Sequence, residues 1–455
     1  MNTLYIICGL GVLSLVAEIV SMKRWLIFVL TAGIAVAVGA AVMDWDSARS
    51  YFSDMVVFDN FALAFTILIC TLAVFWFWMS RSYFHNETHI TDQAALVLFV
   101  LVGAIVLASF NNMAMLFLGI EILSISLYVL AGSKRENIFS NEAAFKYFLM
   151  GSFATGFLLM GIALIYGATG LFHIDRIAIF AAANAGNLPG FYYAGIVMMM
   201  IGMAFKISAV PFHFWAPDVY EGSPTAITAF MSSIVKVAAF AAFTRLFAFC
   251  FASSYSSWLL ILQVIMVLTL VIANITAIVQ TNVKRILAYS SVGHAGYVLL
   301  ALVSSGDSAG VILYYLAAYA SASLLAFCVL IEHENQTGDL SIKSFNGYFK
   351  SNPFLSVAFI ISLLSLAGIP PLAGFFGKYL VFSLALSQGY VGLVVLAILT
   401  SLAGVYYYFK IIIAIFSDPE EARVVSLTFS TRILIWILML ITIGLGVFPD
   451  LVNVL

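Results

Sequence analysis

The chain is poor in charge. Of its 455 residues only 9% are Asp, Glu, Lys or Arg, where a soluble chain carries about 25%. That scarcity excludes an ordinary water-facing surface. The 19 basic and 21 acidic side chains leave a formal net charge of −2, so there is no basic field to hold nucleic acid. Cysteine is scarce as well. Cys8, Cys70, Cys250 and Cys328 stand singly in apolar runs, with no CxxC pair or Cys/His cluster, which argues against bound zinc or an iron–sulfur cluster. No strands are expected, and no glycine-rich phosphate loop follows one. The opening MNTLYIICGLGVLSLVAEIV lacks a basic start and a clear cleavage site, so it reads as a retained first helix rather than a signal peptide. No segment is long and polar enough for a soluble domain.

What the chain has instead is apolar length. It is 64% hydrophobic with a mean hydropathy of +1.11. A membrane span needs about 20 apolar residues. By that rule there are fourteen, near 3–21, 25–43, 60–80, 93–110, 112–132, 142–168, 190–211, 224–250, 257–280, 286–305, 308–331, 353–387, 391–416 and 431–449. Basic residues set their orientation. Loops after odd-numbered spans hold Lys23, Arg24, Arg81, Lys134, Arg135, Lys284, Arg285, Lys343, Lys350, Arg423 and Arg432. Loops after even-numbered spans hold Arg49 and Arg176. The bias puts the odd loops in the cytoplasm and both termini on the other side. Arg245 and Lys410 lie towards helix ends, where snorkelling is expected.

Four ionisable residues sit deep in apolar runs: Glu121 in span 5, Lys206 in span 7, Lys236 in span 8 and Lys378 in span 12. Charge at that depth is costly and marks ion or proton paths. Two of these lysines adjoin a break. Lys206 precedes Pro211 by five residues, and Lys378 follows Gly368-Ile369-Pro370-Pro371. Proline removes a donor and disturbs the turn before it, and in lipid such a break persists only inside protein or beside water. Two interruptions five spans apart predict a pair of five-helix repeats, spans 4–8 and 9–13, with broken helices 7 and 12. Interruptions paired in this way point to an inverted-repeat transporter. Two unrelated proline kinks would be the plainer reading.

The runs GIEILSISLYVLAGSKR, NEAAFKYFLMGSFATGFLLMGIALIYGATG, FKISAVPFHFWAPDVYEGSPT, NVKRILAYSSVGHAGYVL and GIPPLAGFFGKYLVF resemble the subunit N family of bacterial proton-pumping NADH:quinone oxidoreductase, respiratory complex I. These antiporter-like subunits share a fold with Mrp-type cation/proton antiporters. The resemblance covers about residues 93–416, with the motifs in family order. The chain stops at Leu455 without the long lateral helix of the largest sister subunit. It carries Lys378 where the middle sister places a glutamate. Both features favour subunit N.

The resemblance implies an all-α integral membrane protein divided at 1–92 (spans 1–3), 93–250 (first repeat), 251–416 (second repeat) and 417–455 (span 14). It implies a proton relay through Glu121, Lys206, Lys236, His294 and Lys378, with Lys146, His213 and Asp218 as accessory residues. Glu121 would pair with Lys206, so that shifting the carboxylate switches the lysine between holding and releasing a proton. Each residue also has a structural reading. Glu121 shares a helix face with Ser124 and Tyr128 and could simply be hydrogen-bonded. Lys236 shares one with Ser232 and Ser233. His294 aligns with Ser290 and Tyr297, and a neutral imidazole both donates and accepts. Lys146 could be interfacial, and His213, Asp218 and Glu221 could belong to turns that dock two helices. Glu142 suits a helix start, Glu18 with Lys23–Arg24 an interface, and Phe75–Trp76–Phe77–Trp78 a packing or lipid surface. No cofactor or metal is expected on this chain. NADH, FMN, iron–sulfur clusters and quinone would reside on partner subunits, in the bacterial inner membrane. An Mrp-type antiporter subunit or a non-pumping membrane scaffold would share the topology.

Overall fold

A chain in lipid must satisfy its backbone within each segment, which leaves the helix as the default. The computed structural model describes residues 1–20, 23–85, 89–304, 308–418 and 424–452. Arg423 and Leu455 lie outside them, and the side chain of Arg24 is likewise not described. The helices are α1 (Asn2–Ile19), α2 (Lys23–Met43), α3 (Asn60–Met79), α4 (Arg81–His85), α5 (Ile90–Ser109), α6 (Met113–Ala131) and α7 (Ile138–Thr169). Then come α8 (Ile174–Ala183), α9 (Gly190–Lys206), α10 (Trp215–Gly222), α11 (Thr225–Phe230), α12 (Lys236–Thr244), α13 (Tyr255–Ile278) and α14 (Val283–Val303). The last are α15 (Ser308–Thr337), α16 (Tyr348–Ser351), α17 (Pro353–Ala367), α18 (Ala373–Ser387), α19 (Val391–Phe416) and α20 (Phe429–Val447). π-Helical turns at Met231–Val235 and Arg245–Cys250 flank α12, so 225–250 forms one nearly continuous span. Side-chain caps start several helices: Asp59 accepts from Ala62 N–H, Asn112 from Ala114, Asn137 from Phe139 and Asn282 from Lys284, satisfying donors a helix start leaves open.

Among the described residues twelve helices are long and apolar enough to cross a membrane, and α9, α17 and α18 are shorter apolar helices. With α17 and α18 as halves of one interrupted segment, the set is compatible with fourteen spans. The predicted absence of strands does not hold. Arg49–Tyr51 and Val56–Phe58 pair antiparallel, turned by Phe52, Ser53 and Asp54, all at positive φ. Three-residue strands are too short to leave an alternating pattern in the sequence. The amphipathic α8, which buries Ile174, Ile177 and Ala181, is too short to have registered as a span.

The helix contacts fall into two sets. In the first half α5 packs on α6, α7 on α9, and α12 returns to α5. In the second half α13 packs on α14, α15 on α17 and α18, and α19 returns to α13. The two halves meet where α10 lies on α14 and α11 on α15. The spans at 225–250, α14 and α15 are 100%, 94% and 94% buried over their apolar windows, against 28% for α19. This central trio carries Lys236 and His294. The aromatic run at 75–78 is packing: Trp76 is fully buried, contacts Phe230 and Phe84, and donates to Ala226 O at 2.7 Å.

Candidate functional site

Lys206 is the last residue of α9. The chain then leaves the helix through Ser208, at φ 61°, and is held by protein: Val210 N–H donates to Thr269 Oγ1 at 2.9 Å, and Trp215 Nε1 donates to Phe205 O at 3.1 Å. Trp215 stacks between Tyr147 and Phe205, so the connector is docked into the bundle. A cation at a helix C-terminus is favoured by the helix dipole. Lys206 is buried and donates to Ser124 Oγ at 2.6 Å. The expected direct pair with Glu121 is not formed: among the described residues no ion pair joins them. Glu121 is half-buried one turn before Ser124 on α6 and acts on Lys206 through its charge, with the serine as the contacting group. The sequence placed all three on one helix face but could not say which would make contact. Tyr128, third in that stripe, lies 6.0 Å below the Lys206 ammonium, its hydroxyl without a protein partner.

Lys236 stands at the start of α12, directly after a π-helical turn, a distortion frequent at functional sites. Its expected partners were Ser232 and Ser233. Both hydroxyls instead turn back to Ala229 O, the usual local choice for a helical serine. Lys236 donates to Ser291 of α14, to Oγ at 2.6 Å and to the carbonyl oxygen, and lies over the Tyr319 ring at 5.8 Å. Three residues on, His294 Nδ1 bonds the Tyr315 hydroxyl at 2.7 Å, and Nε2 faces the Tyr408 hydroxyl at 3.4 Å. Tyr408 also bonds Ser290. A void of about 10 Å³, close to what one water needs, is lined by His294, Tyr315, Tyr319, Ser365, Gly374 and Gly377.

Lys378 closes the row. It is buried in α18 and reaches back across the break, donating to Ala367 O at 2.7 Å, the last residue of α17, and to Ser401 Oγ at 2.8 Å. Its ammonium lies 5.1 Å over Tyr297. Gly368 caps α17 at φ +87°, and a Cβ there would come within 2.9 Å of Lys378 Cδ. Lys206 thus ends the half-helix α9, and the Lys378 ammonium reaches the C-terminal end of the half-helix α17. Ser291, Tyr315, Tyr319 and Tyr408 were missed because nothing in their local sequence distinguishes them from packing residues.

Two of the three accessory residues, Lys146 and Asp218, gather elsewhere. Lys146 pairs with Glu142 and Asp218, each at 2.7 Å, and Arg285 with Asp218 at 2.9 Å and Glu221 at 2.7 Å. These groups line a cavity of about 370 Å³ with Lys284. Lys146 is therefore a member of an ion network, two turns into α7. His213 is buried beside the break with Nδ1 unpaired, and does not join this network. Arg245 does not snorkel: it is buried, with Asp59 at 2.6 Å and Ala108 O at 3.0 Å. Hydropathy could not reveal that a distant helix cap would meet it. Lys410 does stay near a helix end, bonding Gln280 O at 3.0 Å. Among the described residues no three His, Cys, Asp or Glu side chains converge as metal ligands.

A family model described as NADH:quinone oxidoreductase/Mrp antiporter, TM, matches residues 110–404. NADH-quinone oxidoreductase subunit N of Cytophaga hutchinsonii is 45% identical over 99% of this chain and 98% of its own length. The subunit N of Flavobacterium psychrophilum is 41% identical over 99% of both. Among solved structures, a chain of respiratory complex I from Thermus thermophilus superposes with a TM-score of 0.85 at 33% identity, covering 99% of this chain and 98% of that one. A chain of the Mrp complex from Dietzia superposes with a TM-score of 0.89 at 21% identity, covering 100% and 96%; this second likeness is one of fold.

Proposed function

The chain belongs to the NADH:quinone oxidoreductase/Mrp antiporter membrane family, and from that premise we propose that it serves as the antiporter-like subunit N of a bacterial NADH-quinone oxidoreductase and moves protons through Lys206, Lys236, His294 and Lys378. The identity to subunit N over nearly the whole chain supports this reading above an Mrp-type exchanger. One observation carries the proton path. Lys206, Lys236 and Lys378 are buried and, among the described residues, meet only neutral oxygens within hydrogen-bond reach. An ammonium locked to a carboxylate cannot discharge without stranding the anion. One held by hydroxyls and carbonyls can give up a proton and keep donating its remaining N–H groups.

In this reading the two halves, 93–250 and 251–416, are inverted repeats, joined where Lys236 of α12 reaches Ser291 of α14. Glu121 biases Lys206 from one turn beyond Ser124. The proton then passes to Lys236, across Ser291 and Tyr319 to His294, and on to Lys378. Tyr315 and Tyr408 hold the imidazole so that each nitrogen faces one neighbour, as a relay requires. Moving one charge against 100 mV takes about 2.3 kcal/mol, the equivalent of moving a pKa by less than two at about 1.4 kcal/mol each. A modest change in the surroundings of one lysine is large enough. Hydride, flavin, iron–sulfur and quinone chemistry belongs to partner subunits, and both termini face away from the cytoplasm.

The test is purification in mild detergent followed by reconstitution. Flavin and iron–sulfur subunits should accompany the chain, and an assembled Lys236→Ala complex should lose proton uptake by about a hundredfold. An Mrp assembly would bring no flavin subunit. Normal pumping without Lys236 would leave a scaffold.

A further inference from the structure

Four lysines in the described chain are less than a tenth exposed: Lys206, Lys236, Lys378 and Lys284. The fourth looked from its sequence like a loop charge that orients the chain. It lies instead in the first turn of α14, 3% exposed. Its ammonium donates to Ser223 O at 2.5 Å and Glu221 O at 3.2 Å. Among the described residues no carboxylate comes within ion-pair distance of it, and Glu221, Glu334 and Lys134 are the charged groups that act on it from neighbouring elements. Lys284 therefore shares the surroundings of the three lysines already described, and lacks those of its neighbours Lys146 and Arg285. Those two are each fixed between two carboxylates.

Its position joins two regions. On one side it lines the cavity of about 370 Å³, room for about a dozen waters at roughly 30 Å³ each. On the other, α14 runs inward. Ser291 is seven residues on, two turns along the same face, a rise of about 10 Å, and its hydroxyl receives the Lys236 ammonium at 2.6 Å. Tyr220, on the same short helix as Asp218 and Glu221, is buried and interacts with Ser291 and Tyr319. The hydroxyls of Ser223 and Thr225 are buried with no protein partner, which is unusual for groups not meant to be wetted.

We propose that Lys284 is a proton-transfer residue, taking protons from water in the charged cavity and loading Lys236 by way of Tyr220 and Ser291. It rests on the proton-conducting reading above, and adds an inlet separate from Lys206. The ammonium releases one proton inward and becomes an amine. The amine keeps two N–H groups for its two carbonyl acceptors, and its lone pair takes the next proton from the cavity. The ion network of Lys146, Asp218, Arg285 and Glu221 holds the mouth open without itself exchanging protons.

The assembled complex in proteoliposomes tests this by proton uptake per electron-transfer turnover. Lys284→Arg keeps the charge and the carbonyl contacts but stays protonated. Both Lys284→Arg and Lys284→Ala should cut proton uptake by about tenfold or more, with subunit content unchanged. Ethylamine, entering the cavity, should restore part of the Lys284→Ala rate. Pumping close to wild type in Lys284→Arg overturns the proposal. So does a Lys284→Ala defect that ethylamine leaves untouched while arginine repairs it. Should the arginine complex fail to assemble, the alanine and ethylamine arm decides. Lys236→Ala run in parallel separates the two readings. Pumping lost without Lys236 but kept without Lys284 refutes this inlet alone, and pumping kept without Lys236 refutes the wider path.

Discussion

Gly374→Ala adds one methyl group to the break between α17 and α18 and should disable it. A Cβ at Gly374 would stand 1.8 Å from Ser365 O and 2.8 Å from Ser365 C. The first distance is 1.6 Å short of the 3.4 Å at which ordinary contact begins. The obstacle is backbone near the end of α17, so no rotamer change relieves it. The break cannot slide away on its other side, because α20 closes it there: a Cβ on Gly446 would lie 2.0 Å from Pro371 O. The two half-helices must therefore part. Parting stretches the Gly374 N–H to Ser365 Oγ bond, 3.2 Å, and draws Lys378 Nζ from Ala367 O, now at 2.7 Å. Overpacking of this kind costs about 1–3 kcal/mol, and the loss of an ammonium–carbonyl bond about 1.5–3 kcal/mol. The second alone corresponds to a factor of about ten or more in the occupancy of the Lys378 site. The assay is proton uptake by assembled complexes, with thermal stability measured beside it. Gly392→Ala is the control, since a Cβ there meets nothing within 4 Å and a helical alanine is if anything favourable. Wild-type pumping and stability in Gly374→Ala would refute the claim that the close approach of α17 and α18 positions Lys378.

Glu121→Gln and Lys206→Ala should each impair pumping without loss of assembly. Because the Glu121 charge acts on Lys206 without an ion pair between them, a double-mutant cycle on pumping rate should depart from simple multiplication by about threefold, about 0.6 kcal/mol; independent effects would end the coupled switch. Lys378→Arg should pump as poorly as Lys378→Ala, about tenfold or more below wild type, because arginine does not discharge. Preserved proton stoichiometry in the arginine complex would rule out obligatory deprotonation there.

Much of the fold was legible in the sequence. The ends of the interrupted segment, 353 and 387, and of the next, 391 and 416, were read from hydropathy alone and coincide with the helices found. Both breaks were read from Pro211 and the 368–371 run. The buried ionisable residues were conspicuous because so little else in these segments is charged. What went unread was small or distant: a hairpin of three-residue strands, the π-helical turns around α12, and every partner of every buried cation.

The division has a physical cause. In a membrane the backbone must be satisfied within its own segment, so helix, break and depth are local properties, and the sequence alone determined them. It also determined which ionisable groups would lie in the bundle. The partner of a buried lysine is not local. Lys206 finds Ser124 across 82 residues, and Lys236 finds Ser291 across 55. A serine or tyrosine becomes a relay contact only when packing brings its oxygen to the ammonium. Arg245, Lys284 and Lys410 all look like charges near helix ends. Tertiary structure alone decided that the first meets the cap of a distant helix, the second turns into a cavity floor, and the third closes a helix terminus.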